Sequence, residues 1–250
     1  LRKQDKYDGV FGIWYGKGPG VDRAGDALKH VNLAGTSKFG GVIALMGDDH
    51  ICESSTTSHQ SEFAMIDAMI PFFNPSGVQE ILDYGIIGIE LSRKSGCWVG
   101  IKCVHDNVSS GATVDLDENR LKIVDIPNEN YPSEGLNIRL KDTAQEKEYR
   151  LHHHKIKYVK EFCKINNLNK IIFDSENPKV GIISTGKSFL DTKLGLEKIG
   201  INEDVANQIG LKLLKIAMPW PLEETVIENF AENLDKIIIV EEKRSIIETQ

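Results

Sequence analysis

The sequence predicts an α/β protein with two domains, each built on a parallel sheet. Apolar stretches such as residues 10–15 and 41–46 are continuous rather than alternating, which is typical of strands buried on both faces. Helical patterns separate these stretches, and regular alternation of strand and helix favours parallel sheets covered by helices. The 250 residues are long enough for two ordinary domains, each with its own core.

The first domain is predicted over residues 1–115. Its strand at 10–15 runs into a glycine-rich turn at 16–20, and its next strand runs directly into a polar loop. After Pro75, apolar residues recur at helical spacing over about five turns. Residues 98–104 then read as another strand of the same sheet.

The second domain is predicted over residues 179–250, where strands and helices alternate as βαβαβ and indicate a second parallel sheet. Between the domains, residues 116–178 read as a linker that packs on the first domain. The linker contains loop residues at 128–135 and a long helix from about 143 to 166.

Composition limits the classes of function. The net charge of −7 argues against a nucleic-acid partner, because phosphate neutralisation needs clustered Lys and Arg. No apolar run approaches the ~18 residues that span a bilayer, and the start at residues 1–8 is polar, unlike a signal peptide. Four cysteines without Cys-x-x-Cys spacing disfavour zinc or iron–sulfur sites and suit reduced thiols in a cytoplasm. Because the chain lacks an initiator Met, we expect it to be an internal piece of a longer protein.

One motif, from Gly181 to Ser188, satisfies the G-x-x-x-x-G-K-S pattern of nucleotide-binding P-loops. A P-loop needs its strand before the first glycine, so that the residues after that glycine can wrap phosphate with backbone amides. Here Ile182 and Ile183 belong to the predicted strand itself. ATP binding is therefore disfavoured, and a modest anion contact at the following helix is the most that we expect.

Two polar loops follow neighbouring strands of the first domain, where parallel sheets place ligands at the carboxyl ends of strands. The glycine-rich turn could let a ligand approach the backbone closely, although a purely structural connection explains it equally well. In the second loop, Asp49 and His50 read as polar pocket groups or helix caps. Metal binding is disfavoured there, because adjacent residues such as Asp48, Asp49 and His50 seldom point at one ion. The consecutive histidines at 152–154 fail for the same reason.

Six stretches are long enough to compare with known families. They are residues 7–23, 45–63, 74–85, 185–188, 218–222 and 240–244. Together they closely resemble the fused, single-chain bacterial indolepyruvate ferredoxin oxidoreductases, members of the 2-oxoacid:ferredoxin oxidoreductase family. The resemblance runs nearly end to end and is weakest between about residues 114 and 148.

The resemblance implies a fold and an activity. Residues 1–115 look like most of a thiamine-diphosphate pyrimidine-binding domain, and residues 179–250 look like a transketolase-C-terminal-like domain. The family oxidatively decarboxylates aryl pyruvates such as indole-3-pyruvate, reduces ferredoxin through 4Fe-4S clusters and acylates coenzyme A. The cofactor supplies the carbanion chemistry, while the protein supplies positioning and electrostatics. We expect a homo-oligomer in the full-length enzyme.

The resemblance also implies what these residues lack. The glutamate that activates the aminopyrimidine is expected upstream of Leu1, and the Mg²⁺ and diphosphate are expected on a separate domain with a Gly-Asp-Gly…Asn pattern that does not occur here. No cysteine cluster for iron–sulfur ligation is present in the sequence either. We therefore expect the fragment to be inactive alone.

Three residues are predicted to act catalytically, and a larger set is predicted to face the cofactor. Arg23 is the predicted partner of the substrate carboxylate, because a guanidinium binds a carboxylate in a bidentate manner. The other two are Asp49 and His50. The cofactor-facing set is Lys17, Gly18, Pro19, Gly20, Asp22, Asp48, Ser54, Ser55 and Gln60.

Two alternatives stay open. A non-oxidative thiamine-diphosphate enzyme would share these domains but lack iron–sulfur cysteines in the flanking sequence. A non-catalytic binding or assembly module would keep the fold without the activating glutamate.

Overall fold

The computed structural model describes residues 7–127 and 131–250, so most of the polar start and residues 128–130 of the predicted loop lie outside the described residues. The described residues form two four-stranded sheets with helices packed against them. This is the mixed α/β architecture that the sequence predicts. No helix among the described residues has the length and apolar character needed to cross a bilayer.

The first sheet is parallel throughout, with the strand order β1-β2-β4-β3. Its strands are β1 (Gly12–Lys17), β2 (Val42–Asp48), β3 (Phe72–Phe73) and β4 (Val99–Val104). Because β1, β2 and β4 are parallel neighbours, their carboxyl ends meet at one edge of the sheet. The connecting helices are α1 (Gly18–Arg23), α2 (Gly25–Ala34), α3 (Glu62–Asp67), α4 (Val78–Ser95) and α5 (His105–Val108).

The prediction of a glycine-rich turn at residues 16–20 is wrong, since β1 continues to Lys17 and α1 begins at Gly18. Pro19 explains the immediate start, because its fixed φ suits the first helical turn and its missing N–H has no partner to lose there. Gly18 is needed for a close approach, since a Cβ on it would lie 2.2 Å from Cγ of His59. The polar loop after β2 therefore packs closely against Gly18.

The segment predicted as a linker forms a continuous helical stretch near the predicted position. It consists of α6 (Ala144–Arg150), a π-helical turn (Leu151–Lys155) and α7 (Ile156–Ile165). Thr143 begins it with a capping box, in which the Thr143 side chain accepts from the Glu146 N–H and the Glu146 carboxylate accepts in return. Its buried side chains, including Val159 and Phe162, pack in the same core as Ile43 and Ile101 of the first sheet.

The second sheet has the strand order β5-β7-β6-β8. Its strands are β5 (Lys170–Phe173), β6 (Val180–Thr185), β7 (Leu211–Ile216) and β8 (Lys236–Val240), and its helices are α8 (Gly186–Lys198), α9 (Glu203–Ile209) and α10 (Glu224–Ala231). Strands β6, β7 and β8 are parallel, as predicted, but β5 is an antiparallel edge strand that the sequence pattern misses. It lies within residues 116–178, and a four-residue strand with an exposed start carries little periodicity.

Strand β6 includes Gly181, so the residues that would wrap phosphate in a P-loop lie in the sheet instead. The Lys187 ammonium pairs with Asp191 one turn along α8, 2.5 Å away.

The two sheets are joined directly. The Phe72 N–H donates to the Trp220 carbonyl at 3.0 Å, and the Asn74 N–H donates to the Ala217 carbonyl at 2.9 Å. These bonds continue the edge at β3 into the segment after β7, so the polar groups at the strand ends of both sheets come close together.

Candidate functional site

A cavity of about 460 Å³ opens at the carboxyl ends of β1, β2 and β4. That volume falls within the usual range for small-molecule sites. Of the residues predicted to face the cofactor, Lys17, Asp48 and Ser54 line it, as does Asp49, which was predicted to act catalytically. The remaining lining residues are Tyr15, Gly16, Leu45, Gly47, Glu53, Cys103, His105 and Val108.

The polar loop after β2 is held in shape by Asp49. Its carboxylate accepts the backbone N–H groups of Glu53 at 2.9 Å and of Ser54 at 2.8 Å. The bond from the Ser54 N–H lowers the pKa of Asp49, and the ammonium of Lys17 acts in the same direction. Lys17 in turn donates to the Ser54 carbonyl, which ties the loop to the end of β1.

His59 connects the polar loop to α1 and to the end of β2. Its Nε2 lies 2.9 Å from Oδ2 of Asp22, and its Nδ1 lies 3.5 Å from Oδ1 of Asp48. Asp48 is buried and also accepts from the Ser61 N–H and hydroxyl, so its carboxylate is fixed in place. The segments that follow β1 and β2 therefore meet at one edge of the sheet, as the sequence predicts, although the first of them is helix α1 and not a loop.

His50 lies outside the cavity lining and belongs to a buried charged network. Its Nδ1 donates to the His59 carbonyl at 2.7 Å, so its Nε2 faces the Glu242 carboxylate, 3.1 Å away. That geometry is attractive only when Nε2 carries a proton as well. Burial opposes the charged imidazole, but the attraction of Glu242 and the carbonyl bond outweigh it and raise the pKa of His50. The hydrogen bond from His50 correspondingly lowers the pKa of Glu242.

The network continues through an ion pair between Lys102 and Glu62. Lys102 is 1% exposed and Glu62 is 4% exposed, and Nζ lies 2.5 Å from Oε1. A second carboxylate, that of Glu242, is 3.7 Å from the same ammonium. Burial raises the pKa of Glu62, although Lys102 opposes that rise. Oε2 of Glu62 is buried without a hydrogen-bond partner among the residues that the structure describes.

Two cavity residues at the end of β4 were not predicted. Cys103 and His105 follow the same rule that selected the first two loops, because β4 is the third strand ending at this edge. Burial raises the pKa of Cys103 to about 11, so the thiol is protonated at neutral pH and is not a ready nucleophile. Nδ1 of His105 lies 3.8 Å from the carboxylate of Glu53, across the cavity.

The remaining predicted residues lie beside the cavity. Arg23 is exposed at the end of α1 and is not among the lining residues, so its contact with a substrate carboxylate stays a prediction. Gln60 binds the backbone of Arg244 through its side-chain amide and so fastens the end of the chain to this site. Ser55 Oγ is buried without a partner in the described part of the chain. Gly20 faces open space.

The described residues contain no group of three or more His, Cys, Asp or Glu side chains arranged to hold a metal ion.

Sequence comparison relates the chain to one family. Residues 170–250 match the model of the indolepyruvate oxidoreductase domain. Indolepyruvate oxidoreductase subunit IorA of Archaeoglobus fulgidus is 27% identical over 235 residues, which covers 92% of this chain and 34% of that protein. The same subunit of Pyrococcus abyssi is 26% identical over 248 residues, again with 92% and 34% coverage. The chain therefore spans about a third of the length of these relatives.

Structural comparison finds a similar fold in the 2-oxoglutarate:ferredoxin oxidoreductase from Magnetococcus marinus. The TM-score is 0.52 at 12% identity, over 92% of this chain and 45% of that one. That structure was solved with 2-oxoglutarate, coenzyme A and succinyl-CoA bound. At this identity the similarity concerns the fold alone.

Proposed function

This chain belongs to the indolepyruvate ferredoxin oxidoreductase family as a partial segment, and we propose that the segment forms one side of a thiamine-diphosphate site. The assembled enzyme would oxidatively decarboxylate aryl pyruvates such as indole-3-pyruvate. Electrons would pass through iron–sulfur clusters to ferredoxin, and the acyl group would pass to coenzyme A. The observation that carries the proposal is the cavity lined jointly by the end of β1 and the polar loop after β2.

The charge of the cavity decides which part of the cofactor it suits. Three carboxylates line it, those of Asp48, Asp49 and Glu53, against the single ammonium of Lys17 and the imidazole of His105. A diphosphate would be repelled by this excess of acids, whereas the pyrimidine ring or the cationic thiazolium would not. The residues present therefore fit the ring end of the cofactor, and the diphosphate and its Mg²⁺ fit a separate domain.

The lining residues can be assigned roles at that ring end. Leu45 and Val108 offer apolar surface to a ring, while the carboxylates of Asp49 and Glu53 favour positive charge beside them. When bound, thiamine diphosphate would supply the carbanion chemistry of the decarboxylation. The chain's own residues would bind the cofactor ring and orient it. Asp49 holds the polar loop in place, and Cys103 contributes a neutral thiol to the cavity lining.

The test is cofactor binding to the full-length protein by calorimetry, with Mg²⁺ present. Glu53→Gln removes one cavity charge, and its side chain is exposed, so the fold should survive the change. We expect the Kd for thiamine diphosphate to rise up to about tenfold, which corresponds to about 1.4 kcal/mol. The matched control is Glu228→Gln, an exposed position on α10 far from the cavity lining.

An activity assay separates the reaction types. We expect reduction of ferredoxin that depends on thiamine diphosphate, indole-3-pyruvate and coenzyme A together. Release of aldehyde without reduction of ferredoxin would instead favour a non-oxidative thiamine enzyme. Equal Kd values for the two variants, or no binding of the cofactor, would refute the assignment of this cavity.

A further inference from the structure

A second cleft, of about 510 Å³, lies where the two halves of the chain meet. It is bounded by α4, by residues 120–123, by the edge strand β5, and by β7 and α8. It shares no lining residue with the cavity at the carboxyl ends of the first sheet. The proposed thiamine site therefore leaves this cleft unexplained.

The cleft is rich in positive charge although the whole chain carries −7. Its two carboxylates already have cationic partners. Glu80 pairs with Lys215, and Asp83 pairs with the guanidinium of Arg120, 2.9 Å away. The five cations of the lining are Arg120, Lys122, Lys170, Lys193 and Lys215. Lys122 and Lys170 are exposed, and within the described residues neither has a carboxylate inside 4 Å.

Like charges are held close together in this cleft. Lys170 on β5 stands directly opposite Lys215 on β7 in the antiparallel pair. Like charges directly opposite each other in a sheet are destabilising. Burial lowers the pKa of Lys215, Glu80 opposes that effect, and the nearby ammonium groups of Lys170 and Lys193 lower it further. An anion beside Lys170 and Lys193 would relieve this repulsion.

Apolar and aromatic surface lies beside the charges. Phe189 of α8 is 5% exposed, and the Lys215 ammonium lies 4.7 Å from the centre of its ring. Leu121, Ile123 and Ile172, which are half-buried, line the same cleft. A ligand can therefore place a ring or alkyl body against these side chains while its charged end meets the lysines.

We propose that this cleft binds a small organic phosphate of about mononucleotide size. Its phosphate would contact Lys122, Lys170 and Lys193, and its ring would pack near Leu121 and Ile172. A doubly charged phosphate suits several lysines better than a single carboxylate does, because each ammonium acts as a compact point charge that binds phosphate. The cleft volume lies within the range of small-molecule sites.

The experiment titrates adenosine monophosphate, adenosine and inorganic phosphate separately into the purified full-length protein, without thiamine diphosphate. Adenosine monophosphate is expected to bind at least tenfold more tightly than either adenosine or phosphate. Raising the salt concentration from about 50 mM to about 300 mM should weaken the binding of adenosine monophosphate, because salt screens exposed charges.

Two variants locate the binding. Lys122→Gln combined with Lys170→Gln should raise the Kd for adenosine monophosphate at least tenfold. The matched control combines Lys141→Gln with Lys236→Gln, which removes the same charge from exposed lysines outside the cleft. The melting temperature of Lys170→Gln alone should not fall, since the change removes a repulsion.

The proposal is overturned if adenosine monophosphate does not bind at millimolar concentration, or if both double variants bind it equally. Adenosine binding as tightly as its phosphate would also overturn it, because the lysines would then play no part. If inorganic phosphate bound as tightly as adenosine monophosphate, the cleft would not select an organic phosphate and the proposal would be overturned. None of these outcomes depends on whether thiamine diphosphate binds at the other cavity.

Discussion

Replacing Lys102 by Met isolates Glu62 in the core between the two sheets. Glu62 is 4% exposed, and its Oε1 loses the ammonium 2.5 Å away. With burial raising its pKa and no cation to oppose the rise, the carboxyl should take up a proton at neutral pH. Holding a proton on a group whose ordinary pKa is 4.5 costs about 1.4 kcal/mol per pH unit above that pKa, which at pH 7 is on the order of 3 kcal/mol. Together with the lost hydrogen bond, the free energy of unfolding should fall by about 3–5 kcal/mol.

The assay is urea denaturation of the variant and the parent protein at several pH values. In the variant, the folded state holds a proton on Glu62 that the unfolded state releases above pH 4.5. The deficit should therefore shrink as the pH falls, by about 1.4 kcal/mol per unit, until the pH reaches the ordinary pKa of the carboxyl.

Two further variants serve as controls. Lys102→Met combined with Glu62→Met should recover most of the loss, because replacing both members of a buried pair by apolar side chains is often neutral or stabilising. Lys187→Met breaks the partly exposed pair with Asp191 on α8 and should change stability by less than about 1 kcal/mol. A deficit below about 1 kcal/mol for Lys102→Met, or one independent of pH between 5 and 7, would refute this account of the pair.

Three other perturbations test the site. His50→Gln should destabilise most between about pH 4.5 and 6.5, by about 1–2 kcal/mol in thermal melts. In that window the raised pKa of His50 keeps its imidazole charged and the lowered pKa of Glu242 keeps its carboxylate charged, whereas His50 loses its proton above the window and Glu242 gains one below it. Cys103 should react slowly with iodoacetamide at pH 8, and its rate should rise about tenfold per pH unit until the pH approaches 11, as measured by peptide mass spectrometry; a rate that is flat across this range would contradict the protonated thiol. Asp49→Ala should speed hydrogen exchange at the amides of Glu53 and Ser54 without slowing exchange in β2, whereas Asp49→Asn, which keeps one acceptor oxygen, should show a smaller change; unchanged exchange in both variants would show that the loop does not depend on Asp49.

Much of the first sheet could be predicted from sequence because its signals are local. The continuous apolar runs of β1, β2 and β4 place these strands, and the rule of carboxyl ends then brings Lys17 and Asp49 to one edge. The polar residues predicted at this edge follow β1 and β2. Cys103 and His105 at the end of β4 were not predicted, although the same rule selects them. The start of α1 was missed because three glycines in five residues suggest a turn, whereas Pro19 at a first helical position is the stronger signal.

The buried network could not be predicted, because its members lie far apart in the chain. Glu62 and Lys102 come from α3 and β4, 40 residues apart, and Glu242 joins them because the second sheet packs against the first. One signal was present in the sequence, since Lys102 interrupts a strand whose other residues are almost all buried. A lysine in such a run must have a partner, because an isolated buried charge is too costly. The pattern thus indicates that an acid is nearby but cannot say which one.

The cavity at the first sheet and the cleft at β5 carry opposite charge, and this difference bears on what each can bind. The cavity at the ends of β1 and β2 has an excess of carboxylates, and the cleft at β5 has an excess of ammonium groups. Screening limits the reach of exposed charges to about 8 Å at physiological salt, so each surface attracts ligands by its own lining rather than by the net charge of −7. One anionic ligand therefore cannot favour both surfaces. A molecule with a cationic ring and a diphosphate should turn its ring toward the first cavity, and a phosphate ester without such a ring should prefer the second.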